Sequence, residues 1–479
     1  MVQIFFILIE YKEMSQELGQ SGQEFAQDLT EVPSVLRYSD ILKVGSPVAD
    51  LQYNTLIPSN GSTFTEQQQI RIPFNVPTDS FVNLKGAYIK MKVSNTQATD
   101  SYSLDPQCGV ASFIDTFRIV SGTGALIEEI QHYNAAYALM SSLAPPAHTQ
   151  SSANIQEGAS EGALSETSVA GAGIANVSAS TTRVHIPHSS SRTLSHIPMS
   201  GFFQCDRLAP LGFATGTSTI EIILAQAQFP LTFNNDAGSP NTAWTISGVE
   251  LHVPVLRMGS EFNASFRQLL SSGIPINWHS TSYHNVQTNV PSASTGSRTL
   301  TVSTRKRSVK SIFTLFRKTA DLTDIHADSS SCRRSLGISN YRYTIGGVQM
   351  PHSDISVSTS DLGESYATLS QCLSNLGNVY SSTCMNVDNY RLPVDQDGSS
   401  GQATASKIAY GLDLESYGHS DVQSGKNLSN QGLPIVFNAQ LGTGTANQAS
   451  TADCLCDMYL LYDVVYSLDG VSGTITANM

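Results

Sequence analysis

Residues 70–76 read Ile70-Arg71-Ile72-Pro73-Phe74-Asn75-Val76, and residues 87–93 read Ala87-Tyr88-Ile89-Lys90-Met91-Lys92-Val93. In both, an apolar side chain falls on every second position. Successive side chains of a strand point to opposite faces, so this spacing lays one face on a core and leaves the other to water. Pro73 has no N–H to give to a neighbouring strand, which sets its strand at a sheet edge. Pro77-Thr78-Asp79 between the two runs is a turn.

The same grammar continues outward. Phe117-Arg118-Ile119-Val120 and Ala125-Leu126-Ile127 flank Ser121-Gly122-Thr123-Gly124 and read as a hairpin. Ile130, Tyr133, Tyr137 and Met140 then fall at helical spacing, a stripe read as core packing rather than a cofactor box. Residues 144–181 are rich in Ser, Ala, Gly and Thr and cannot build a core of their own, so they are expected to form an exposed insertion. Strand patterns resume at 183–187, 220–224 and 249–255. Phe262, Phe266, Leu269 and Leu270 mark a helix ending near Gly273. Beyond it the pattern repeats, with strands from Ile276, at 308–317, 341–345, 408–414, 433–441 and 454–468, and a helix over 360–376 stopped by Gly377. The expected fold is all-β: two tandem eight-stranded jelly-roll sandwiches, with short helices between strands and long surface loops. The expected division is a flexible N-terminal arm (1–32), a first jelly roll (33–258, with the insertion at 144–181), a connecting helix (259–274) and a second jelly roll (275–479).

Composition narrows the function. Charged residues are 14% of the chain, against about 25% in an ordinary soluble domain. The net charge is −13, which argues against a protein built to grip phosphates through clustered Lys and Arg. No apolar run reaches the ~20 residues of a membrane-spanning helix. Val2–Ile9 is apolar but lacks a basic lead-in and a small-residue cleavage site, so it reads as a buried strand or anchor, with Met14 as a second possible start. Residues 15–31 hold four acids and no Lys or Arg.

Candidate reactive groups are few. Seven cysteines without a secretory signal suggest reduced thiols. Cys454 and Cys456 share one strand face and read as small buried hydrophobes. His185 and His188 have no third ligand nearby. Ser424-Gly425-Lys426-Asn427 mimics the end of a phosphate loop, but the upstream Gly is misplaced and Asn427 stands where a hydroxyl would hold Mg²⁺. The sequons at Asn60, Asn176, Asn263 and Asn427 read as accidents of a Ser/Thr-rich chain. The sequence nominates no catalytic, cofactor-binding or metal-ligating residue and implies no cofactor.

Several stretches resemble a known family. Residues 81–89 (FVNLKGAYI), 111–119 (ASFIDTFRI) and 124–134 (GALIEEIQHYN) are similar to the first jelly roll of double jelly-roll major capsid proteins of tailless double-stranded DNA viruses, of the virophage and polinton-like type. Tyr341–Gly347 with Met350-Pro351, Tyr410–Glu415, and Leu460–Tyr466 with Leu468-Asp469-Gly470 resemble its second half. The resemblance spans about residues 35–479 and rests on the order of loose structural motifs. It implies a homotrimer forming a pseudo-hexameric capsomer, neighbouring capsomers with penton and minor capsid proteins as partners, an icosahedral virion shell around double-stranded DNA, and no catalytic residues. Loops at the outer end would form towers, with 144–181 the first candidate. Contact with an internal membrane is left open, and sequence-specific nucleic-acid binding is not expected.

Two other readings compete. A single-stranded RNA virus coat protein would commonly carry a basic arm, whereas this arm is acidic and the densest basic cluster, Arg305-Lys306-Arg307 with Lys310, lies beside a mid-chain strand. That cluster reads as a solvated strand end or a contact between capsomers. A β-sandwich enzyme would group His and carboxylate ligands on strands, and the 11 His are scattered. A carbohydrate-binding sandwich leaves little trace in sequence and stays open.

Overall fold

The computed structural model describes residues 48–98, 102–105, 107–144, 153–159, 185–233, 243–292, 296–320, 322, 330, 333–357, 361–372, 383, 385, 390, 407–416, 424–429, 434–441 and 453–478. The expected arm at 1–32 and the start of the first roll at 33–47 lie outside them.

Sixteen strands carry the architecture. In the first half these are β1 (Val48–Leu56), β2 (Gln69–Pro73), β3 (Tyr88–Asn95), β4 (Ile114–Val120), β5 (Leu126–Ile130), β6 (Ser191–His196), β7 (Thr219–Leu224) and β8 (Trp244–Met258). In the second they are β9 (Ile276–Val290), β10 (Gly296–Val302), β11 (Val309–Lys318), β12 (Ile338–Ile345), β13 (Val348–Ser356), β14 (Tyr410–Asp413), β15 (Ile435–Leu441) and β16 (Cys454–Leu468). The first half pairs them as β1-β8-β3-β6 and β2-β7-β4-β5, the second as β9-β16-β11-β14 and β10-β15-β12-β13. Adding eight to each label of the first half gives the second. All the pairings are antiparallel, and each half is an eight-stranded jelly roll.

The alternation read from the sequence fixes which face is inside. Ile70 and Ile72 on β2, and Ile89, Met91 and Val93 on β3, are all buried. β2 is an edge strand, as Pro73 requires. The helices also recur. α1 (Tyr133–Leu143) follows β5, and α3 (Gly363–Gln371) follows β13, at equivalent places in the two rolls. α1 starts later than the spacing suggested, because Ile130 still belongs to β5 and His132 turns the chain through a left-handed conformation (φ 48°). Between the rolls, α2 (Ser260–Ser271) packs Phe262 and Phe266 against Phe81, and Arg267 pairs with Asp79. α3 sits close on β14 at Gly411, where a Cβ would come within 2.9 Å of Leu369.

Of the pattern at 183–187, residues 183 and 184 lie outside the described residues, and His185–Ile186 is a strand in a small sheet with Tyr102–Leu104 and Leu231–Phe233. One expectation changes. The insertion at 144–181 is described only at Ala144 and 153–159, and there it is not fully exposed. A helical turn at Ala153–Gln156 delivers Glu157 and Ala159 into the interior, at 4% and 1% exposure. The reason is a buried polar network that Glu157 completes.

Candidate functional site

Several buried charged side chains lie at or beside the seam between the rolls. On the first roll it is built by β5, α1 and residues 197–204, and on the second by β9 and β16. β5 lies against β9. Gly201 makes the approach possible, since a Cβ there would stand 2.6 Å from Thr281 O.

Glu128 of β5 is the centre of the contact. It is fully buried, and its carboxylate accepts from the Gly201 N–H (2.7 Å), the Phe202 N–H (2.9 Å), the Tyr466 hydroxyl (3.0 Å) and the Ser282 hydroxyl. Two donors come from its own roll and two from the other. Burial pushes the Glu128 carboxyl above its ordinary range, against the pull of these hydrogen bonds. Tyr466 stacks on Trp278 and meets Phe202 edge to face, so an aromatic layer surrounds the carboxylate.

A second carboxylate lies beside α1. Glu157 accepts from the Tyr137 hydroxyl, from His196 Nδ1–H at 3.0 Å and from the Ile197 N–H at 3.4 Å. The other nitrogen of His196 meets the Tyr133 hydroxyl at 2.6 Å, and that hydroxyl accepts from the Met199 N–H at 2.7 Å. Burial alone would raise the Glu157 carboxyl, but His196 and the other donors outweigh it and hold it below its usual value. The network borders a cleft of about 410 Å³ at the seam, lined by Tyr137, Met140, Met199 and Glu157 from the first roll and Thr281 and Tyr283 from the second.

Cations secure the same boundary. Arg333, 1% exposed, donates to Ala138 O (2.9 Å) and Ser142 Oγ (3.0 Å) on α1, and to Lys407 O (2.8 Å) in its own roll. These bonds tie the second roll to α1 through a mid-helix carbonyl and a hydroxyl of its last turn. Arg317 holds Asp457 at 2.7 Å, and both line a region where Tyr459 donates to His132 O across the seam at 2.9 Å. A cleft of about 330 Å³ beside it is lined by Asp115, His132, Gln287 and Arg317.

The residues singled out in the sequence fall as follows. Lys310 is buried between Glu415 (3.3 Å) and Asp463 (3.1 Å), and Lys306 lies 4.1 Å over the Tyr462 ring. Burial lowers the Lys306 ammonium to about 8. Only Arg305 and Arg307 of that cluster are exposed. Lys426 bridges to β11 at Val309, the Gly425 N–H donates to the Ser308 hydroxyl, and Ser424 donates to Glu415, so this stretch lies beside the Lys310 pairings. Cys454 and Cys456 are buried together on β16, and burial pushes the Cys456 thiol up. His188 is exposed. Asn60 uses its side chain on Gln69 O and the Arg71 N–H. Cys332, Cys384 and Asn176 lie outside the described residues. Among the described residues, no group of three or more His, Cys, Asp and Glu could hold a metal, and no helix is long and apolar enough to cross a membrane.

Sequence reading missed Glu128, Glu157, His196 and Arg333. Glu128 carried a faint signal, an acid inside the apolar run Leu126-Ile127-Glu128-Glu129-Ile130. Its neighbour Glu129 faces out to Arg118 at 2.7 Å, and strand alternation turns Glu128 the other way.

No family model and no curated protein matches this sequence. Solved structures do match. A PBCV-1 capsid chain, VP54, fitted into a cryo-EM reconstruction of the virophage Sputnik superposes with a TM-score of 0.57 at 10% identity, covering 90% of this chain and 97% of that one. The Faustovirus major capsid protein gives 0.54 at 11% identity, over 89% and 92%. The mavirus major capsid protein gives 0.52 at 11% identity, over 94% and 95%. At such identities what is shared is the course of the backbone, over about nine-tenths of the chain. The chain has the double jelly-roll fold of these viral major capsid proteins.

Proposed function

We propose that the protein is a major capsid protein that trimerises into pseudo-hexameric capsomers and tiles an icosahedral virion shell around double-stranded DNA. The observation that carries this reading is the doubled strand order, two like rolls joined by a buried polar seam. Three such chains supply six similar rolls, enough for a ring of near-sixfold shape. Neighbouring capsomers, with penton and minor capsid proteins, are the partners this role requires. No catalytic step is part of it.

The basic cluster supports this reading over an RNA coat protein. Lys310 is spent on Glu415 and Asp463 inside the second roll, leaving little of that cluster for phosphate. Light scattering at micromolar concentration tests the proposal. The expected mass is three times the 51.4 kDa of the chain, and a monomer mass would overturn it.

A further inference from the structure

Inside the second roll one lysine amine stands between two carboxylates. Lys310 Nζ lies 3.1 Å from Asp463 Oδ1 and 3.3 Å from Glu415 Oε1, and the three side chains are 8%, 6% and 4% exposed. The Lys85–Asp206 and Lys90–Glu250 pairs of the first roll, by contrast, are open to water. Ion pairing alone does not account for the arrangement, because one carboxylate is enough to pair an ammonium and each further buried ion must be desolvated.

The strand register sets the amine in this place. Val309 pairs with Tyr462 and Ser311 with Leu461, so Lys310 is the extra residue of a bulge in β11. A bulge re-aims a side chain out of the ordinary alternation. The Leu414 N–H donates to Lys310 O at 2.7 Å, which brings Glu415 alongside, and the Asp463 N–H donates to Ser308 O at 2.9 Å. Both acids are held in turn. The Ser308 hydroxyl donates to Asp463 Oδ2 at 2.7 Å, and the Ser424 hydroxyl donates to Glu415 Oε1 at 2.7 Å. Residue 425 closes on the site so tightly that a Cβ there would stand 2.6 Å from the Val309 backbone.

We propose that Lys310 and Asp463 condense into an isopeptide bond, with Glu415 carrying the protons, so that β11 and β16 are stapled covalently. Glu415 takes a proton from the ammonium and frees the nitrogen lone pair, which attacks Asp463 Cγ. A second proton leaves nitrogen as the C–N bond forms. Both protons pass to Oδ1, which departs as water when its bond to Cγ breaks. One ammonium and one carboxylate become one amide and one water, Glu415 is returned as it began, and no other reactant is consumed. The Ser308 hydroxyl stays on Oδ2, where negative charge gathers in the tetrahedral intermediate. In bulk water the separated ions are favoured. Here the fold replaces a chance encounter by fixed contact, and a site closed to water favours a neutral amide over a desolvated ion pair. The staple goes beyond the capsid reading and does not depend on it.

Mass spectrometry of the purified full chain, denatured before measurement, tests the proposal. The expected mass is lower than the sequence mass by one water, and proteolysis should release a peptide pair joined through Lys310 and Asp463. Lys310→Arg keeps the cation and should carry its full mass, with the two peptides separate. On a denaturing gel the parent should run ahead of Lys310→Arg, since a closed loop compacts the unfolded chain. Glu415→Gln should leave most chains unjoined, and joining to the parent's extent would remove Glu415 as proton carrier. Separate Lys310 and Asp463 peptides from the folded parent would overturn the proposal and leave a buried ion pair. A water lost within a single peptide, or a link from Lys310 to Glu415, would overturn it as well. The parent's own peptides decide the matter, so the result stands even where a variant fails to fold.

Discussion

Replacing Glu128 by alanine should uncouple the two rolls. The carboxylate gathers four donors with no water access, two of them the backbone N–H groups of Gly201 and Phe202. Those two cannot turn elsewhere, and a buried donor left unsatisfied costs about 1–3 kcal/mol. The Ser282 and Tyr466 hydroxyls can rotate and lose less. Against this, the variant no longer desolvates a carboxylate, the same force that raises the Glu128 pKa. The balance is a loss of about 2–4 kcal/mol. The urea slope grows with the surface exposed, and at about 3 kcal/mol per molar for a roll of this size the unfolding midpoint should fall by about 1 M. The chain has two tryptophans, Trp244 in the first roll and Trp278 in the second, so Trp244→Phe and Trp278→Phe backgrounds report the rolls separately. At one fixed protein concentration, the parent chain should give coincident transitions. Glu128→Ala should give two, and Glu128→Gln, which keeps one acceptor oxygen, an intermediate shift. Coincident transitions at an unchanged midpoint in Glu128→Ala would refute the seam as the coupling element.

Three further outcomes are expected. Arg333→Met should destabilise the chain by about 1–3 kcal/mol in the same urea assay, because the Ala138 and Lys407 carbonyls lose a buried cationic donor; a loss under about 0.5 kcal/mol would contradict that role. Glu157 has a folded pKa below its ordinary 4.5, so its contribution is present above that pH and lost as pH falls through the lower folded value. Melting temperature should therefore drop more steeply below pH 4.5 in the parent than in Glu157→Gln, and parallel curves would count against the network; Glu128, with a raised pKa, acts in the opposite direction, its contribution fading as pH rises. Duplex DNA should not bind measurably at ~150 mM salt, since Lys306 and Lys310 are engaged internally, and tight, salt-sensitive binding in a filter assay would revive the coat-protein reading.

What the sequence determined by itself is the set of strands that press one face on a core. Ile70 and Ile72, Ile89 to Val93 and Ile220 to Leu224 were legible because burial of one face imposes a period of two within a single stretch, and Cys454 to Leu468 as an apolar run buried on both faces. The three helices were legible for the same reason at their own period. β1, β6, β10 and β13 were not, and all four are edge strands. With one side unpaired and both faces partly open, residues such as Asp50-Leu51-Gln52-Tyr53 carry no alternation, and only their pairing with a distant strand makes them β. The seam was hidden for a stronger reason. Glu128 and Tyr466 are 338 positions apart, and Arg333 and Ala138 are 195 apart. A charge reads as surface until the tertiary fold brings its partner to it, because burying it is tolerable only when donors or acceptors from elsewhere satisfy it.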